Sequence, residues 1–223
     1  WGLTAAPPVA LLVGPARAET IRSAADLAGQ TVAIPAPGTA EDQVLGMLLA
    51  RARVAMHRVS VRSFGDRGAA RALEAGEVAA AVLAEPYVSR LLEGGKAVVA
   101  VDLRTARDAA AALGGPTVNG ALFARAGALP DAATIRALRA ALQAAVTRVT
   151  TAEPAVLQNG LPSSVIGSAA DFAVRLLRSR DLFLADGRVT ADMLERSIGL
   201  VRARAPLPAK VELPRRAERL LVE

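Results

Sequence analysis

Apolar and polar positions follow two alternating periodicities between residues 21 and 101. Short, almost wholly apolar runs are typical of strands buried on both faces, and they alternate with segments in which apolar residues recur at helical spacing. This β-α order predicts an α/β fold with a parallel sheet and helical crossovers. The predicted strands are Thr31–Pro35, Val59–Phe64, Ala79–Ala84 and Ala97–Val101.

The second half of the chain is predicted to be mainly helical. After a short strand at Ala121–Ala124, a long helix begins near Asp131, and two amphipathic helices follow around residues 172–177 and 193–201. Residues 205–223 are basic and interrupted by prolines, which predicts a surface tail. The long helix carries an apolar stripe that we interpret as facing the core, formed by Ile135, Leu138, Leu142, Val146 and Val149.

Composition narrows the function classes. The chain has 223 residues, of which 52% are hydrophobic, so it has enough apolar surface to form a core and is not disordered. It has no cysteine and one histidine, His57 in a polar turn, so disulfides, thiolate sites, histidine-rich metal sites and most histidine-dependent catalysis are not expected. No metal or cofactor is predicted. The net charge of +6 favours anions, but 3% aromatic residues and no basic run argue against nucleic acid.

Ligands of parallel sheets bind beyond the carboxyl ends of the strands. The loop that follows the first predicted strand contains Pro37, Gly38 and Thr39 and leads into a helix at Ala40. Glycine allows close backbone approach, and the free amides of a helix start favour an anion. The alternative is an ordinary turn in which Thr39 and Asp42 form a capping box.

The other loops at that edge carry further candidate side chains. Glu85 ends a buried strand, so it either binds a ligand or clamps neighbouring backbone, and Tyr87, the only tyrosine, offers a ring face or a hydroxyl. Asp66 is expected to help orient a ligand. Asn119 either donates to a ligand or closes a turn, and the turn is preferred. We interpret Asp102 and Arg104 as a solvated pair.

Three ordered segments resemble solute-binding proteins of the nitrate/sulfonate/taurine and thiamine-precursor type, which serve ABC importers. Residues 23–39 are similar to the family run S-x-x-D-L-x-G-K-x-V-A-V-x-x-x-G-S/T, and residues 72–87 to A-L-x-x-G-x-V-D-A-A-x-x-x-E-P-Y. Residues 119–125 resemble the strand that returns to the first lobe. One departure is Ala79, where the family usually has aspartate.

The resemblance implies a periplasmic-binding-protein-like fold of type II, with two α/β lobes and the ligand between them. It implies an outward crossing strand at Pro8–Val13 and a return at Ala121–Ala124. The implied division is residues 1–20 for a remnant of lobe one, 21–116 for lobe two, and 117–223 for helices that pack on lobe one. The opening section of lobe one and a signal peptide are not seen, so we expect this chain alone to bind ligand no better than millimolar and to self-associate.

The implied function is capture of a small, anionic solute (a sulfonate, nitrate, taurine-like compound or pyrimidine precursor) outside the cytoplasm. The protein would deliver it to an ABC permease and, through that, to its ATPase; it would not be an enzyme and would be a monomer when complete. The alternatives are the effector-sensing domain of a LysR-type regulator and a thiamine-pyrimidine synthase-like enzyme, which the absence of cysteine disfavours. The candidate ligand-binding residues are Pro37, Gly38, Thr39, Ala40, Asp66, Glu85, Tyr87 and Asn119.

Overall fold

The computed structural model describes residues 1–125, 127–204 and 221. Its strands are β1 Gly2–Thr4, β2 Val9–Val13, β3 Thr31–Ile34, β4 Ser60–Ser63, β5 Ala80–Ala84, β6 Val98–Asp102 and β7 Asn119–Ala121. Its helices are α1 Ala40–Arg51, α2 Gly65–Glu74, α3 Tyr87–Glu93, α4 Ala106–Leu113, α5 Ala132–Thr151, α6 Pro154–Gln158, α7 Ser163–Ile166, α8 Ala169–Ser179 and α9 Ala191–Arg204. Short 3₁₀ turns occur at Pro15–Arg17, Ala24–Leu27, Met56–Arg58 and Arg180–Leu182.

A five-stranded sheet with the order β4-β3-β5-β2-β6 forms the centre of the α/β region. The four predicted strands are present as β3, β4, β5 and β6, and they all run in one direction. The sheet is nevertheless mixed, because β2 lies between β5 and β6 and is antiparallel to both. The expected parallel arrangement of the four strands is therefore confirmed, and β2 is an addition to it. This strand precedes the alternating region, and its all-apolar sequence indicates burial but not direction.

The first predicted crossing strand, Pro8–Val13, corresponds to β2 and lies inside this sheet. The second, Ala121–Ala124, is displaced, because β7 covers Asn119–Ala121 and pairs antiparallel with β1 in a separate two-stranded sheet. Residues 5–8 and 103–118 connect the two sheets. The division at residues 20 and 116 remains a prediction.

Hydrophobic side chains cover both faces of the five-stranded sheet. Consecutive residues of β2 point to opposite faces, so Leu11 belongs to one buried cluster with Val32 and Leu45. Leu12 belongs to the other, with Leu83 and Leu73. Burial on both faces explains why the central strands have no polar alternation.

The long helix α5 is less buried than its sequence pattern suggested. Of its 20 residues only Val146 is buried, and Leu138 is 42% exposed. Of the five stripe residues, one is buried, three are half-buried and only Leu138 is exposed, so the core-facing interpretation was wrong at Leu138. Periodicity identifies the apolar face but not how much of it another element covers. His57 is exposed in the turn Met56–Arg58, as predicted. The predicted tail lies outside the described residues, apart from Leu221.

Candidate functional site

The loops that follow β3, β4 and β5 lie at one edge of the sheet, which we call the carboxyl edge. Because β3, β4, β5 and β6 share one direction, their carboxyl ends meet there. All three loops selected from the sequence are therefore at the same edge, together with the segment after β6. This is the edge at which α/β sheets bind ligands.

The loop before α1 is held by its own side chains. Gly38 has a φ of +80°, in the left-handed region, and its N–H donates to the Asp42 carboxylate at 2.9 Å. The Thr39 hydroxyl caps α1, donating to the Ala36 carbonyl at 2.9 Å and accepting from the Asp42 amide at 3.4 Å. The expected capping box is thus shifted, because Asp42 bonds to the Gly38 amide rather than that of Thr39. Pro37 and Gly38 are exposed.

A cavity of about 110 Å³ opens beside the start of α1 and contains two of the predicted residues, Ala40 and Asn119. That volume is several times the roughly 10–15 Å³ that a single water occupies on this measure. Within the part of the chain that the structure describes, the Ala40 and Glu41 amides have no acceptor, as is usual for the first turn of a helix. The lining residues are Pro7, Ala40, Gln43, Val44, Thr117, Val118, Asn119, Ser197, Leu200 and Val201.

Two polar side chains of this cavity already have internal partners. Asn119 lies in β7, so the preferred turn role was wrong, and its side-chain amide donates to the Thr4 hydroxyl at 3.1 Å. The Ser197 hydroxyl accepts from the Val118 amide at 2.8 Å. These bonds fix the side chains of the cavity wall.

Glu85, Tyr87 and Asp66 do not line this cavity. The Glu85 carboxylate accepts from the Ser89 amide at 3.1 Å and from the Arg104 guanidinium at 3.0 Å, which is the arrangement of a clamp. Tyr87 begins α3, and its ring centre lies 6.0 Å from the guanidinium carbon of Arg90. Asp66 is exposed in the first turn of α2.

Arg104 is the centre of a buried charge cluster that the sequence interpretation missed. Its side chain is 3% exposed and binds both Asp102 oxygens, each at 2.9 Å, so the expected solvated pair is wrong. Arg178 of α8 donates to Asp102 at 2.8 Å from the other half of the chain. The Asp102-x-Arg104 spacing could have indicated the local bond, but Arg178 gave no signal.

The charge cluster shifts the ionisation of its members. Burial disfavours the charged form of Asp102, but hydrogen bonds from Arg104 outweigh this and hold the pKa of that carboxyl below its usual value. Burial likewise opposes the charge of Arg104, and bonds to Asp102 and Glu85 overcome it, so the pKa of the guanidinium is raised.

A second missed contact joins the first turn of α1 to the last residue of α9. Arg204, the last residue of α9, donates to the carboxylate of Asp42, whose side chain is 2% exposed. The helix places Arg204 there because α9 packs on α1, with Leu200 buried between them. No sequence pattern pairs these residues.

Neither a metal centre nor a membrane span is found in the described part of the chain. No group of three or more histidine, aspartate or glutamate side chains in residues 1–125 and 127–204 is arranged to hold a metal ion. None of the helices described is long and apolar enough to cross a bilayer.

Solved structures share this architecture. A protein of Bordetella bronchiseptica RB50 superimposes with a TM-score of 0.75 at 26% identity, over 95% of this chain and 69% of that protein. The alkanesulfonate-binding protein SsuA from Xanthomonas axonopodis pv. citri, solved with bound MOPS, gives 0.65 at 19% identity over 92% and 69%. The fold is that of a periplasmic binding protein.

A third similar structure extends the same picture. The periplasmic aliphatic sulphonate binding protein SsuA from Escherichia coli gives a TM-score of 0.51 at 24% identity, covering 77% of this chain and 58% of that protein. No protein-family model and no curated protein matches the sequence. The relatives whose names state a role are binding proteins rather than enzymes.

Proposed function

We propose that this protein is a solute-binding protein that captures a small organic sulfonate or a similar anion for an ABC importer. The observation that carries the proposal is the cavity at the start of α1, which Ala40 and Asn119 line, in a fold shared with sulfonate-binding proteins. Amides at a helix start stabilise an anion through hydrogen bonds and the helix dipole. The net charge of the chain, +6, is compatible with an anionic ligand.

The predicted residues take different parts in this proposal. Ala40 and Asn119 form the cavity, and Pro37, Gly38 and Thr39 shape the loop that orients the amides. Glu85 clamps the Ser89 amide and the Arg104 guanidinium. Tyr87 and Asp66 lie at the same edge of the sheet, and in this proposal they contact the solute when a second surface closes over it. Each residue that the sequence analysis selected thus has a separate role in the proposed site.

Delivery to a permease and its ATPase, an extracytoplasmic location and a monomeric state belong to the proposal as well. Their support is the periplasmic sulphonate-binding protein among the similar structures. An effector-sensing regulatory domain is the second candidate, because the same fold can serve it. Permease and ATPase genes beside this one would favour transport, and a divergently transcribed operon would favour regulation.

Binding is tested by NMR: ligand-observed spectra detect even millimolar dissociation constants, and spectra of the ¹⁵N-labelled protein report its backbone amides. Ethanesulfonate and MOPS are the probes, and ethyl methyl sulfone, which has the same tetrahedral sulfur without charge, is the matched control. We expect the two sulfonates to bind and to shift the Ala40 and Glu41 amide resonances, and the sulfone to do neither. Equal binding of sulfone and sulfonate, or shifts confined to residues far from α1, would contradict the proposal.

The alternative that this protein is an enzyme is tested by incubating it with the bound probe and analysing the solution by mass spectrometry. The proposed role is binding and delivery, in which no bond of the solute is broken. We expect the solute to be recovered unchanged. Protein-dependent conversion would replace the transport proposal.

A further inference from the structure

The first turn of α1 contains a buried carboxylate, that of Asp42, which is not among the residues of the proposed solute site. Asp42 is 1% exposed, and one of its oxygens accepts the Gly38 N–H at 2.9 Å. The other oxygen accepts from the Nε of Arg204. Asp42 thus connects the loop before α1 to the carboxyl end of α9.

Electrostatics explains why Asp42 is paired with Arg204. A carboxylate removed from water is costly unless it is paired and hydrogen-bonded, and Arg204 supplies the compensating charge. The close approach of α9 to α1 permits the contact: a Cβ added at Gly46 would lie 3.2 Å from the Cβ of Arg204. The pair therefore depends on helix packing, not on chance encounter at the surface.

The carboxylate is also close in sequence to the amides of the proposed solute site. Ala40 lines the cavity, and Asp42 is in the same helical turn. An uncompensated negative charge there would oppose an anion bound beside Ala40 at the start of α1. Glu41 adds a carboxylate in this turn, is itself buried, and does not line the cavity.

We propose that Arg204 is a positioning residue that sets the anion selectivity of the solute site by pairing with Asp42. It neutralises the Asp42 carboxylate and holds it on the Gly38 amide, so that this buried charge does not oppose an anion at the start of α1. The inference rests on the proposed function, because it presumes an anionic solute at this cavity. It assigns to the end of α9 a role in recognition, although Arg204 does not line the cavity.

The test compares dissociation constants of the full 223-residue chain for ethanesulfonate and for ethyl methyl sulfone, measured by NMR titration. Arg204→Gln should weaken sulfonate binding by about tenfold, or about 1.4 kcal/mol, and change sulfone binding little. Arg202→Gln is the matched control, since it removes the same charge from an exposed position of the same helix. Asp42→Asn combined with Arg204→Gln should restore sulfonate binding, because the opposing charge is gone.

Equal weakening by Arg204→Gln and Arg202→Gln would overturn the proposal, since it would reveal a general charge effect. Undiminished sulfonate binding in Arg204→Gln would overturn it as well. If Arg204→Gln does not fold, the comparison moves to the Asp42→Asn background, where adding Arg204→Gln should leave sulfonate affinity unchanged. A tenfold loss there would mean that Arg204 acts on the solute directly, against the proposal.

The coupling has a readout that needs no solute. The Gly38 amide proton resonance should move in Arg204→Gln and stay in place in Arg202→Gln, because only the first substitution disturbs the bond from Gly38 to Asp42. If the wild-type chain binds no sulfonate while this resonance moves as expected, the solute assignment fails and the loop contact stands. If sulfonate binds and the resonance does not move, the Arg204 inference fails and the proposed function stands.

Discussion

Single residues decide the shape of the proposed site more than bulk composition does. Gly38 has a φ of +80° and its amide is fixed by Asp42, so a small residue sets the direction in which α1 begins. An added Cβ there meets no atom within 4 Å, so the constraint at this position is the backbone angle and not space.

Gly38→Val is expected to weaken ethanesulfonate binding at least about tenfold, or about 1.4 kcal/mol. A β-branched residue in the left-handed region is strained by about 1–3 kcal/mol, and relief of that strain moves the Ala40 amide. Gly38→Asn is the matched control, because asparagine tolerates this region and should retain binding. Calorimetric or NMR titrations that show the same loss in both variants would indicate that side-chain bulk, not backbone angle, matters.

The Asp102 carboxylate gives a second prediction for single residues, on pH. Its pKa is lower in the folded protein than the ordinary 3.8, so it contributes stability at pH values above that figure. The contribution is lost as the pH falls from about 4 through the lower folded pKa. Urea denaturation should therefore show a steeper fall in the free energy of unfolding below pH 4 for wild type than for Asp102→Asn. Parallel curves for the two proteins would contradict it.

At the level of elements, charged contacts and close helix packing join the two halves of the chain. Arg178 of α8 reaches Asp102 after β6, and Asp181 accepts from the first amide of α4 at 3.0 Å. On the other side α9 packs on α1 with glycines at the contact. The C-terminal helices thereby contact the carboxyl edge after β3 and after β6.

Gly46→Ala and Gly199→Ala form a matched pair that tests the packing of α9 on α1. Alanine favours an α-helix over glycine by about 1 kcal/mol, so an unhindered exchange should stabilise the protein. A Cβ at position 199 would meet only the flexible Met47 methyl at 3.4 Å, whereas one at position 46 would meet the backbone of Ala203 at 3.3 Å. We expect Gly199→Ala to raise the free energy of unfolding in urea and Gly46→Ala to lower it or leave it unchanged. The opposite order would mean that α9 is less tightly seated.

At the level of the whole molecule, the helical half leaves large apolar side chains in solvent. Phe123 is 89% exposed, Leu177 59%, Val174 54% and Leu138 42%. Single exposed apolar residues are normal, but several on one half of a protein favour association. Two solved proteins with this fold are longer than this chain, which covers 69% of each of them.

Light scattering should show that the chain self-associates as its concentration rises, and that Leu138→Glu together with Leu177→Glu reduces this. Burial of apolar area between copies drives the association, so a charge on each face opposes it. Ala137→Glu adds a charge to the exposed surface of α5 without removing a large apolar side chain, and it should have a smaller effect. A monodisperse monomer at all concentrations would contradict the prediction.

The sequence by itself determined the strands of the alternating region, the α/β order and the loops that meet at the carboxyl edge. Those features follow from local periodicity and from turn residues such as Gly38, which act within a few positions of the chain. It also indicated Glu85 as a side chain that needs a donor, because a carboxylate at the end of a buried strand cannot remain unpaired.

Only the tertiary structure decided which distant residues complete these local signals. Arg178 lies 76 residues from Asp102 and Arg204 lies 162 residues from Asp42, and neither pairing leaves a trace in spacing or composition. The antiparallel direction of β2 and the exposure of Leu138 were also decided by the tertiary structure. An apolar run or stripe indicates only that a segment tends to be buried. Which partner covers it, and from which direction, depends on the packing of the whole chain.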